Sequence, residues 1–242
     1  GFRSKADAGA QVLDGKDQKT GLLVKSLYGK NKRPASADIR ELDVLIFDLQ
    51  DVGVRFYTYL STLKYVLEAA ALNDIPVIIL DRPNPNGFYV DGPVLDTAFR
   101  SFVGALPVPI VHGMTLGEMA SMIVGEHWIP QAQNVKLTVV KCRGYMHNKT
   151  YSPPVPPSPN LPTLRSILLY PHLCYFEATS CSVGRGTAQP FEVIAHPQWT
   201  SYDFSITPIS RAGASKPKHQ NTSCYGINLS QVPITELLAQ TE

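Results

Sequence analysis

The sequence lacks the short motifs that identify the most familiar cofactor-dependent and hydrolytic α/β enzymes. It contains no G-x-G-x-x-G or G-x-x-x-x-G-K-[ST] phosphate loop, no G-x-S-x-G nucleophile elbow and no H-E-x-x-H zinc motif. The missing phosphate loops count against a nucleotide-dependent α/β enzyme, because such enzymes hold phosphates on glycine-rich loops at a helix start. We therefore expect neither a metal nor a nucleotide cofactor.

The sequence also has little charge imbalance, few cysteines and no long apolar run. Its 22 basic and 20 acidic residues leave a formal net charge of +2, which gives no argument for nucleic acid or an anionic membrane as a partner. No apolar segment approaches the ~18 residues that a membrane span needs. The four cysteines show no C-x-x-C pair and no metal-ligand spacing. They leave a disulfide open, although buried or free thiols are favoured.

The composition is that of an ordinary folded protein. With 242 residues, 44% of them hydrophobic and 17% charged, the chain can form one large domain or two small ones. Six of its 20 prolines fall between residues 153 and 162, a segment typical of a polyproline linker or a ligand for an aromatic groove. We place a boundary there, between a domain of residues 1–152 and a smaller one of residues 153–242. We also expect the segment to be ordered and to line a ligand cleft.

Residues 43–59 form the stretch around which the chain is organised. An apolar run at 44–49 predicts a buried strand, and polar groups then crowd a short connection before a helix that begins near residue 58. Apolar positions 60, 63, 66, 67, 70 and 71 have helical spacing, and residues 76–81 predict the next strand. A strand, a helix and a strand within about 40 residues form one right-handed βαβ unit, so the sheet is at least partly parallel.

The remaining segments predict a further set of elements. Strands are predicted at 22–27, 136–141, 174–178, 191–195 and 224–229, and helices at 36–42, 112–128 and 163–170. The fold class is therefore α/β, a mostly parallel sheet with flanking helices, followed by a smaller C-terminal α+β part.

Two acids end consecutive predicted strands. Asp48 and Asp81 would then lie about 5 Å apart if the strands are neighbours, a spacing that suits double-displacement glycoside hydrolysis. The alternative is a structural ion network in which Arg55 and Arg82 neutralise them. Both alternatives predict a polar cluster at the carboxyl edge of the sheet.

Two further pairs of residues allow either a structural or a functional interpretation. Thr115 and Glu118 fit the T-x-x-E capping box, while His112 precedes the same helix start, where anions are favoured. Glu177 ends a predicted strand, and Arg185 follows between two glycines. These two side chains either form a plain salt bridge or offer a guanidinium to a closely approaching ligand.

Several motifs together resemble those of one family. Residues 47–59, 80–85, 112–118, 157–162, 176–179, 184–187 and 190–192 resemble, in order, the NamZ-like exo-β-N-acetylmuramidases, bacterial glycosidases of peptidoglycan recycling that were long a domain of unknown function. The resemblance extends to about residue 197. It implies a Rossmann-like domain and a smaller C-terminal domain with the site in the cleft between them. It also implies release of a non-reducing terminal N-acetylmuramic acid from peptidoglycan fragments, without metal or nucleotide, in the periplasm or outside the cell.

The resemblance also implies that the chain is truncated at its N-terminus. Family members continue upstream with further sheet strands and a Pro-Glu-His-Gly-Phe-Arg phrase, whose end resembles residues 1–3. The glutamate of that phrase, a candidate catalytic acid, would lie before residue 1. We expect the C-terminal domain to be truncated as well.

Under this resemblance, we predict roles for fifteen residues. The predicted catalytic residues are Glu177, Asp48, Asp81 and His112. The predicted substrate-binding residues are Asp51, Arg55, Tyr57, Tyr59, Arg82, Asn84, Glu118, Ser158, Asn160, Arg185 and Glu192. Among them, Tyr57 or Tyr59 would stack on the sugar and Arg185 would bind its lactyl carboxylate. The alternative function is a non-catalytic muropeptide- or sugar-binding protein on the same scaffold.

Overall fold

The computed structural model describes residues 7, 10, 12–29 and 31–239. The chain divides into two compact units, an N-terminal unit, Gly9–Tyr151, and a C-terminal unit, Ser152–Glu242 with Gly1–Ala8. The N-terminal unit carries a parallel sheet and the C-terminal unit carries an antiparallel one.

The N-terminal unit is built on five short strands. A hairpin pairs β1 (Gly15–Lys16) with β2 (Leu23–Val24). The parallel sheet has the order β3 (Leu45–Phe47), β4 (Val77–Leu80), β5 (Leu137–Val140). All three strands run in the same direction, so their carboxyl ends lie at one edge. The loops that follow β3, β4 and β5 share this edge, where open α/β sheets bind ligands.

Three helices accompany the sheet: α1 (Ser36–Ile39), α2 (Tyr59–Asn73) and α3 (Leu116–Gly125). The α2 helix has apolar residues at helical spacing and ends at Asp74, which adopts a left-handed conformation with φ of 55°. Two short 3₁₀ segments, Thr97–Phe99 and Ala132–Asn134, complete the unit. Since α2 lies between the parallel strands β3 and β4 along the chain, the strand–helix–strand unit that the sequence predicts is confirmed.

The two faces of the parallel sheet differ. On one face Phe47 and Ile79 pack with Leu63 of α2 and with Met119 of α3 in the main hydrophobic core. The other face presents Ile46 and Val140, which are 61% and 51% exposed. The register explains this division, because alternate residues of a strand point to opposite faces.

The C-terminal unit combines two helices with a small antiparallel sheet. The helices are α4 (Leu164–Leu173), which continues into a 3₁₀ segment at Cys174–Ala178, and α5 (Ile234–Ala239). The sheet has the order β6 (Val193–His196), β8 (Cys224–Asn228), β7 (Phe204–Ile206). Its inner face buries Val193, Ala195, Ile206 and Cys224. The α/β class with a smaller C-terminal α+β part is thus confirmed.

Two of the predicted strands need correction. Residues 174–178 form a 3₁₀ helix, because Cys174 keeps the right-handed helical conformation in which α4 ends. Glu177 therefore lies on a helical turn and does not end a strand. Of the strand predicted at 22–27, only Leu23–Val24 pairs, with the two residues of β1.

The proline-rich segment folds onto its own unit. Ser158 and Leu161 close a tight turn, and the buried Asn160 donates its side-chain amide to the carbonyl of Gly213 at 2.8 Å. A free polyproline linker would make no such contact, so that interpretation is wrong. The predicted contact of this segment with a ligand cleft stays a prediction.

All four cysteines, Cys142, Cys174, Cys181 and Cys224, are free thiols.

Within residues 12–29 and 31–239, no helix combines the length and the apolar character that crossing a bilayer requires. The same described ranges contain no group of three or more histidine, cysteine, aspartate or glutamate side chains placed to hold a metal ion.

Candidate functional site

The loops after β3 and β4 place two acids on adjacent strands of one sheet edge. Asp48 accepts two hydrogen bonds on Oδ1 from Arg82, at 2.8 Å from Nε and 2.7 Å from Nη2. The ion network that the sequence left open is thus present for Asp48, which Arg82 of the neighbouring strand neutralises. Both side chains are more than two-fifths exposed, so this ion pair contributes at most about 1 kcal/mol.

Asp81 anchors the start of helix α3. Its Oδ2 accepts the hydroxyl of Thr115 at 2.7 Å, and its Oδ1 accepts the amide of Gly117 at 2.8 Å. A glycine is needed at position 117, because a Cβ there would lie 2.7 Å from Asp81 Cγ. Both carboxylate oxygens are engaged by the helix, so the geometry favours the structural interpretation of Asp81 over a nucleophile paired with Asp48.

The capping box at the same helix start is confirmed. The Thr115 hydroxyl accepts the Glu118 amide at 3.2 Å, and Glu118 Oε2 accepts the Thr115 amide at 2.9 Å. Glu118 Oε1 lies 3.0 Å from Nε2 of His147, which follows β5. Burial opposes ionisation of Glu118, yet the hydrogen bonds from Thr115 and His147 outweigh it and keep its pKa below the ordinary value.

His147 has an acceptor beside each of its ring nitrogens. Its Nε2 faces the Glu118 carboxylate, and its Nδ1 lies 3.1 Å from the carbonyl oxygen of Gly87. These two contacts together favour the imidazolium, the form in which both ring nitrogens donate. The hydrogen bond to Glu118 is the main cause that raises the pKa of His147.

These groups border a concavity at the start of α3. It has a volume of about 650 Å³. Its wall includes Phe88, Tyr89, His112, Met114, Glu118 and His147. The concavity is shallow and open to solvent, and its wall combines apolar side chains with a few polar groups, a combination that is typical of small-molecule sites. We refer to it as the α3 concavity.

Asp51 and His112 are buried beside each other. Asp51 Oδ2 accepts the Gly53 amide at 2.7 Å and lies 3.9 Å from Nε2 of His112. Burial raises the pKa of Asp51 to about 7 and lowers the pKa of His112 to about 4. At neutral pH the imidazole is therefore uncharged, and the carboxyl group is close to its midpoint.

The side chains of Asn84 and Arg55 donate hydrogen bonds to backbone carbonyls. Asn84 donates to the Met114 carbonyl at 2.8 Å and is packed so closely that a Cβ at Gly53 would lie 2.2 Å from its oxygen. Arg55 donates from Nη1 to the carbonyls of Pro93 and Val108, at 2.8 and 2.6 Å. The structural alternative from the sequence had Arg55 neutralise an acid, and these two hydrogen bonds tie its guanidinium to the chain around it.

Tyr57 and Tyr59 pack edge to face, with ring centroids 5.1 Å apart and an interplanar angle of 83°. Burial is the main cause that raises the pKa of Tyr59 to about 12. Tyr59 thus remains a neutral phenol throughout the physiological range. Its predicted stacking on a sugar stays a prediction.

In the C-terminal unit, Glu177 and Arg185 form the salt bridge that the sequence left open. Nε of Arg185 lies 2.5 Å from Oε1 of Glu177, and Nη2 lies 3.2 Å from Oε2. The guanidinium also lies over the ring of Phe191, 4.8 Å from its centroid. Gly184 and Gly186 flank Arg185 with φ of 82° and 80°, in the left-handed region. A two-point ion pair and a ring thus fix the guanidinium.

Three other predicted residues of this unit support the local fold. Ser158 Oγ accepts the Asn160 amide at 3.2 Å within the proline-rich turn. Glu192 is buried and accepts the hydroxyl of Thr163, the residue that caps helix α4.

Sequence reasoning predicted His112 and Glu118 of the α3 concavity and missed its other lining residues, among them Phe88, Tyr89, Met114 and His147. His147 carried one usable signal, since it follows the third strand of the parallel sheet and therefore reaches the same edge. Its partner Glu118 is 29 residues away along the chain, and no sequence pattern indicates that pairing.

Comparison with known proteins assigns both units to one family. Residues 1–165 match the family model described as Exo-beta-N-acetylmuramidase NamZ, N-terminal, and residues 168–239 match the corresponding C-terminal model. The chain is 43% identical over 245 residues to the Peptidoglycan beta-N-acetylmuramidase NamZ of Bacillus subtilis (strain 168). That alignment covers 95% of this chain and 58% of the relative, so the chain spans less than two thirds of its length.

Two solved structures share the fold, and both are DUF1343 family proteins from Bacteroides fragilis NCTC 9343. One has 48% sequence identity and a TM-score of 0.88, covering 93% of this chain and 63% of the other. The second has 28% identity and a TM-score of 0.78, covering 93% and 64%.

Proposed function

The chain belongs to the exo-β-N-acetylmuramidase NamZ family, as its motifs predict, and on this basis we propose that the protein hydrolyses peptidoglycan fragments and releases terminal N-acetylmuramic acid. The observation that carries the proposal is the likeness to a named peptidoglycan β-N-acetylmuramidase, at 43% identity over 95% of the chain. Peptidoglycan lies outside the cytoplasmic membrane, which supports a periplasmic or secreted location.

The α3 concavity supports this proposal as a place for a sugar ring. Phe88 and Tyr89 offer apolar surface, and their ring centroids are 4.8 Å apart. The Glu118 carboxylate keeps lone pairs beyond those that bind Thr115 and His147, and these can accept sugar hydroxyls. An apolar wall beside hydroxyl acceptors matches a pyranose, which has an apolar face and a polar rim.

The other predicted residues have roles that follow from their contacts. Asp81 and Asn84 hold the start of α3 and the turn before it, so they position the concavity. Glu177 remains our candidate for an acid within this chain, because its side chain is 30% exposed. Glycoside hydrolysis passes through an oxocarbenium-like transition state, which carboxylates stabilise as charge, acid or nucleophile.

Arg185 is the candidate that distinguishes N-acetylmuramic acid from N-acetylglucosamine. The two sugars differ by one anionic lactyl ether, so selectivity needs a fixed positive group. Glu177 binds Nε and Nη2 of Arg185 and, with Phe191, fixes the guanidinium, so the N–H groups that remain on Nη1 and Nη2 can bind a carboxylate with two parallel hydrogen bonds. Lysine cannot reproduce that fork.

The test measures release of 4-nitrophenol from 4-nitrophenyl glycosides of N-acetylmuramic acid and N-acetylglucosamine. In the full-length protein we expect hydrolysis of the muramide, and a roughly tenfold to hundredfold loss of preference for it in Arg185→Lys, since a charged hydrogen bond contributes about 1.5–3 kcal/mol. Arg100→Lys, at an exposed arginine, is the matched control. Binding of the muramide without any release of 4-nitrophenol would instead support a non-catalytic sugar-binding protein.

A further inference from the structure

Two neighbouring buried side chains, one acidic and one basic, each carry a polar atom that has no hydrogen-bond partner. Asp51 and His112 are only 6% and 3% exposed. Within the described residues, Asp51 Oδ1 and His112 Nε2 are buried without a hydrogen-bond partner. Buried polar atoms are nearly always paired, so two unpaired atoms on adjacent side chains call for a physical explanation.

The tautomer of His112 follows from its other nitrogen. Nδ1 accepts the backbone amide of Met114 at 3.3 Å, so a neutral imidazole must carry its proton on Nε2. That N–H lies 3.9 Å from Oδ2 of Asp51, which is close enough for electrostatic coupling and too long for a hydrogen bond. The proton on Nε2 is therefore held on the Asp51 side of the ring.

His112 and Met114 both line the α3 concavity, and a hydrogen bond joins them. The Met114 amide donates to His112, and the Met114 carbonyl accepts the side chain of Asn84 at 2.8 Å. Met114 precedes Thr115, whose hydroxyl binds Asp81. The orientation of the His112 ring thus fixes the turn that leads into α3.

We propose that Asp51 and His112 form a proton-holding pair, in which both side chains are uncharged inside the fold at mildly acidic pH and which positions the turn that leads into helix α3. His112 acts as a positioning residue, because its ring accepts the Met114 amide, and Asp51 acts through His112, whose Nε2 lies 3.9 Å from Asp51 Oδ2. The proposal goes beyond the muramidase activity, and only its last readout rests on that activity.

Other charged groups near the pair do not replace either member. Tyr59 senses the charge on Asp51, but its pKa of about 12 keeps it neutral between pH 4 and pH 8. Glu118 and His147 line the α3 concavity with His112, and they neutralise each other as an ion pair. The proton balance of the buried pair therefore depends on Asp51 and His112.

Burial of Asp51 and burial of His112 change the stability of the fold with pH in opposite directions. In the unfolded chain Asp51 ionises near pH 4 and His112 loses its charge near pH 6.5, whereas in the fold these midpoints lie near 7 and 4. Between pH 4 and pH 6.5 both states of the pair hold one proton, on Asp51 when folded and on His112 when unfolded. The intact pair thus adds almost no pH dependence to stability in this window.

Removing one member exposes the pH dependence of the other. In Asp51→Asn, the lowered pKa of His112 makes stability rise with pH from 4 to 6.5, because only the unfolded chain binds the proton. In His112→Asn, the raised pKa of Asp51 makes stability fall from pH 4 to 7, because only the folded chain keeps the proton. Relative to wild type, the unfolding constant should change by about tenfold per pH unit, with opposite signs.

Urea unfolding of the protein at half-unit steps from pH 4 to pH 7 tests this expectation. The double variant Asp51→Asn/His112→Asn is the matched control, and its slope should equal that of wild type. Opposite slopes in the single variants support the pair. Equal slopes, or slopes unchanged from wild type, would overturn it.

Nitrogen-15 NMR of the histidine rings provides a measurement on the folded state alone. At pH 5.5 we expect one protonated and one unprotonated nitrogen on His112, with the proton on Nε2, and an imidazolium signal for His147 as internal contrast. An imidazolium signal from His112 would show an ion pair and overturn the uncharged arrangement.

The pH profile of hydrolysis is a further measurement, because it would not change if the pair only stabilised the fold. We expect an inflection of kcat near pH 7 that disappears in Asp51→Asn while KM stays the same. An inflection retained in Asp51→Asn would overturn the positioning role. If the protein hydrolyses no muramide, the proposed function fails, while the stability and NMR results still decide the proton-holding pair.

Discussion

Two carboxylates, Asp81 in the N-terminal unit and Glu177 in the C-terminal unit, are held by different kinds of donor. In the N-terminal unit, Asp81 binds the amide of Gly117 and the hydroxyl of Thr115, both at the start of a helix. In the C-terminal unit, Glu177 binds the guanidinium of Arg185. A backbone amide in a helix cannot move without unfolding that turn, whereas a guanidinium sits at the end of a rotatable side chain. Asp81 is therefore held by the backbone of a helix, whereas Glu177 is held by another side chain.

The glycines of the two sites reflect the same difference. Gly117 allows a carboxylate to approach a helix, and it lies within α3. Gly184 has φ of 82°, and a Cβ there would lie 2.3 Å from the carbonyl oxygen of Gln189. The first glycine provides space for a side chain, and the second provides a backbone conformation that fixes the loop carrying Arg185.

The largest effect is expected from Gly184→Ala, which attacks the C-terminal site through its backbone. The left-handed conformation costs about 1–2 kcal/mol for a residue with a Cβ, and the overlap with Gln189 adds to it, so we expect a loss of at least 3 kcal/mol in the free energy of unfolding. Urea denaturation measures it. Gly144→Ala is the control, since φ there is 74° but nothing lies within 4 Å of the new Cβ. Equal losses in both variants would contradict the overlap.

The next effect tests the helix anchor of the N-terminal unit. Asp81→Ala removes both acceptors at the start of α3 and leaves the Gly117 amide without its partner, so we expect a loss of about 2 kcal/mol in the free energy of unfolding. Asp48→Ala breaks only an exposed ion pair and should cost less than about 1 kcal/mol. Similar losses at the two positions would show that Asp81 is not an anchor.

A smaller effect separates two glycines of the same helix. Gly117→Ala forces a methyl group to within 2.6 Å of Val139 and 2.7 Å of Asp81, so we expect a loss of about 1 kcal/mol. Gly125→Ala meets no atom within 4 Å and should stabilise the protein by about 0.4–1 kcal/mol through the unfolded chain. Thermal unfolding of both variants decides the sign, and stabilisation by both would remove the packing argument at Gly117.

The smallest effect concerns the imidazolium at the α3 concavity. His147 has a raised pKa because of Glu118, so its contribution to stability is present below about pH 6.5 and disappears as pH rises through its folded-state pKa. His147→Gln should therefore lose up to about 1 kcal/mol at pH 5.5 and almost nothing at pH 9, since nearly half of each side chain is exposed. Unfolding in low and high salt checks it, because salt should weaken the effect at pH 5.5. A loss that is independent of pH would contradict the charged form.

Much of the local structure was predictable because it depends on neighbours within four residues. The periodicity of α2 predicts its buried face, and Thr115 with Glu118 predicts the start of α3. The alternation of apolar runs and helices predicts a parallel sheet, and hence the edge that carries Asp48 and Asp81. The 3₁₀ helix at Cys174–Ala178 was missed, because a short apolar run fits a strand or a helical turn equally well.

The sequence by itself determined which groups reach the carboxyl edge of the sheet and which family the chain belongs to, since hydrophobic periodicity, turns and ordered motifs are local properties. Only the tertiary structure decided which partner each group takes. The Asp81 carboxylate could have paired with the guanidinium of Arg82, one residue away, and instead binds a helix start 34 residues further on, while the Arg82 guanidinium binds Asp48. The physical reason is that partner choice depends on strand register and helix placement, which bring together donors and acceptors that are far apart in the chain.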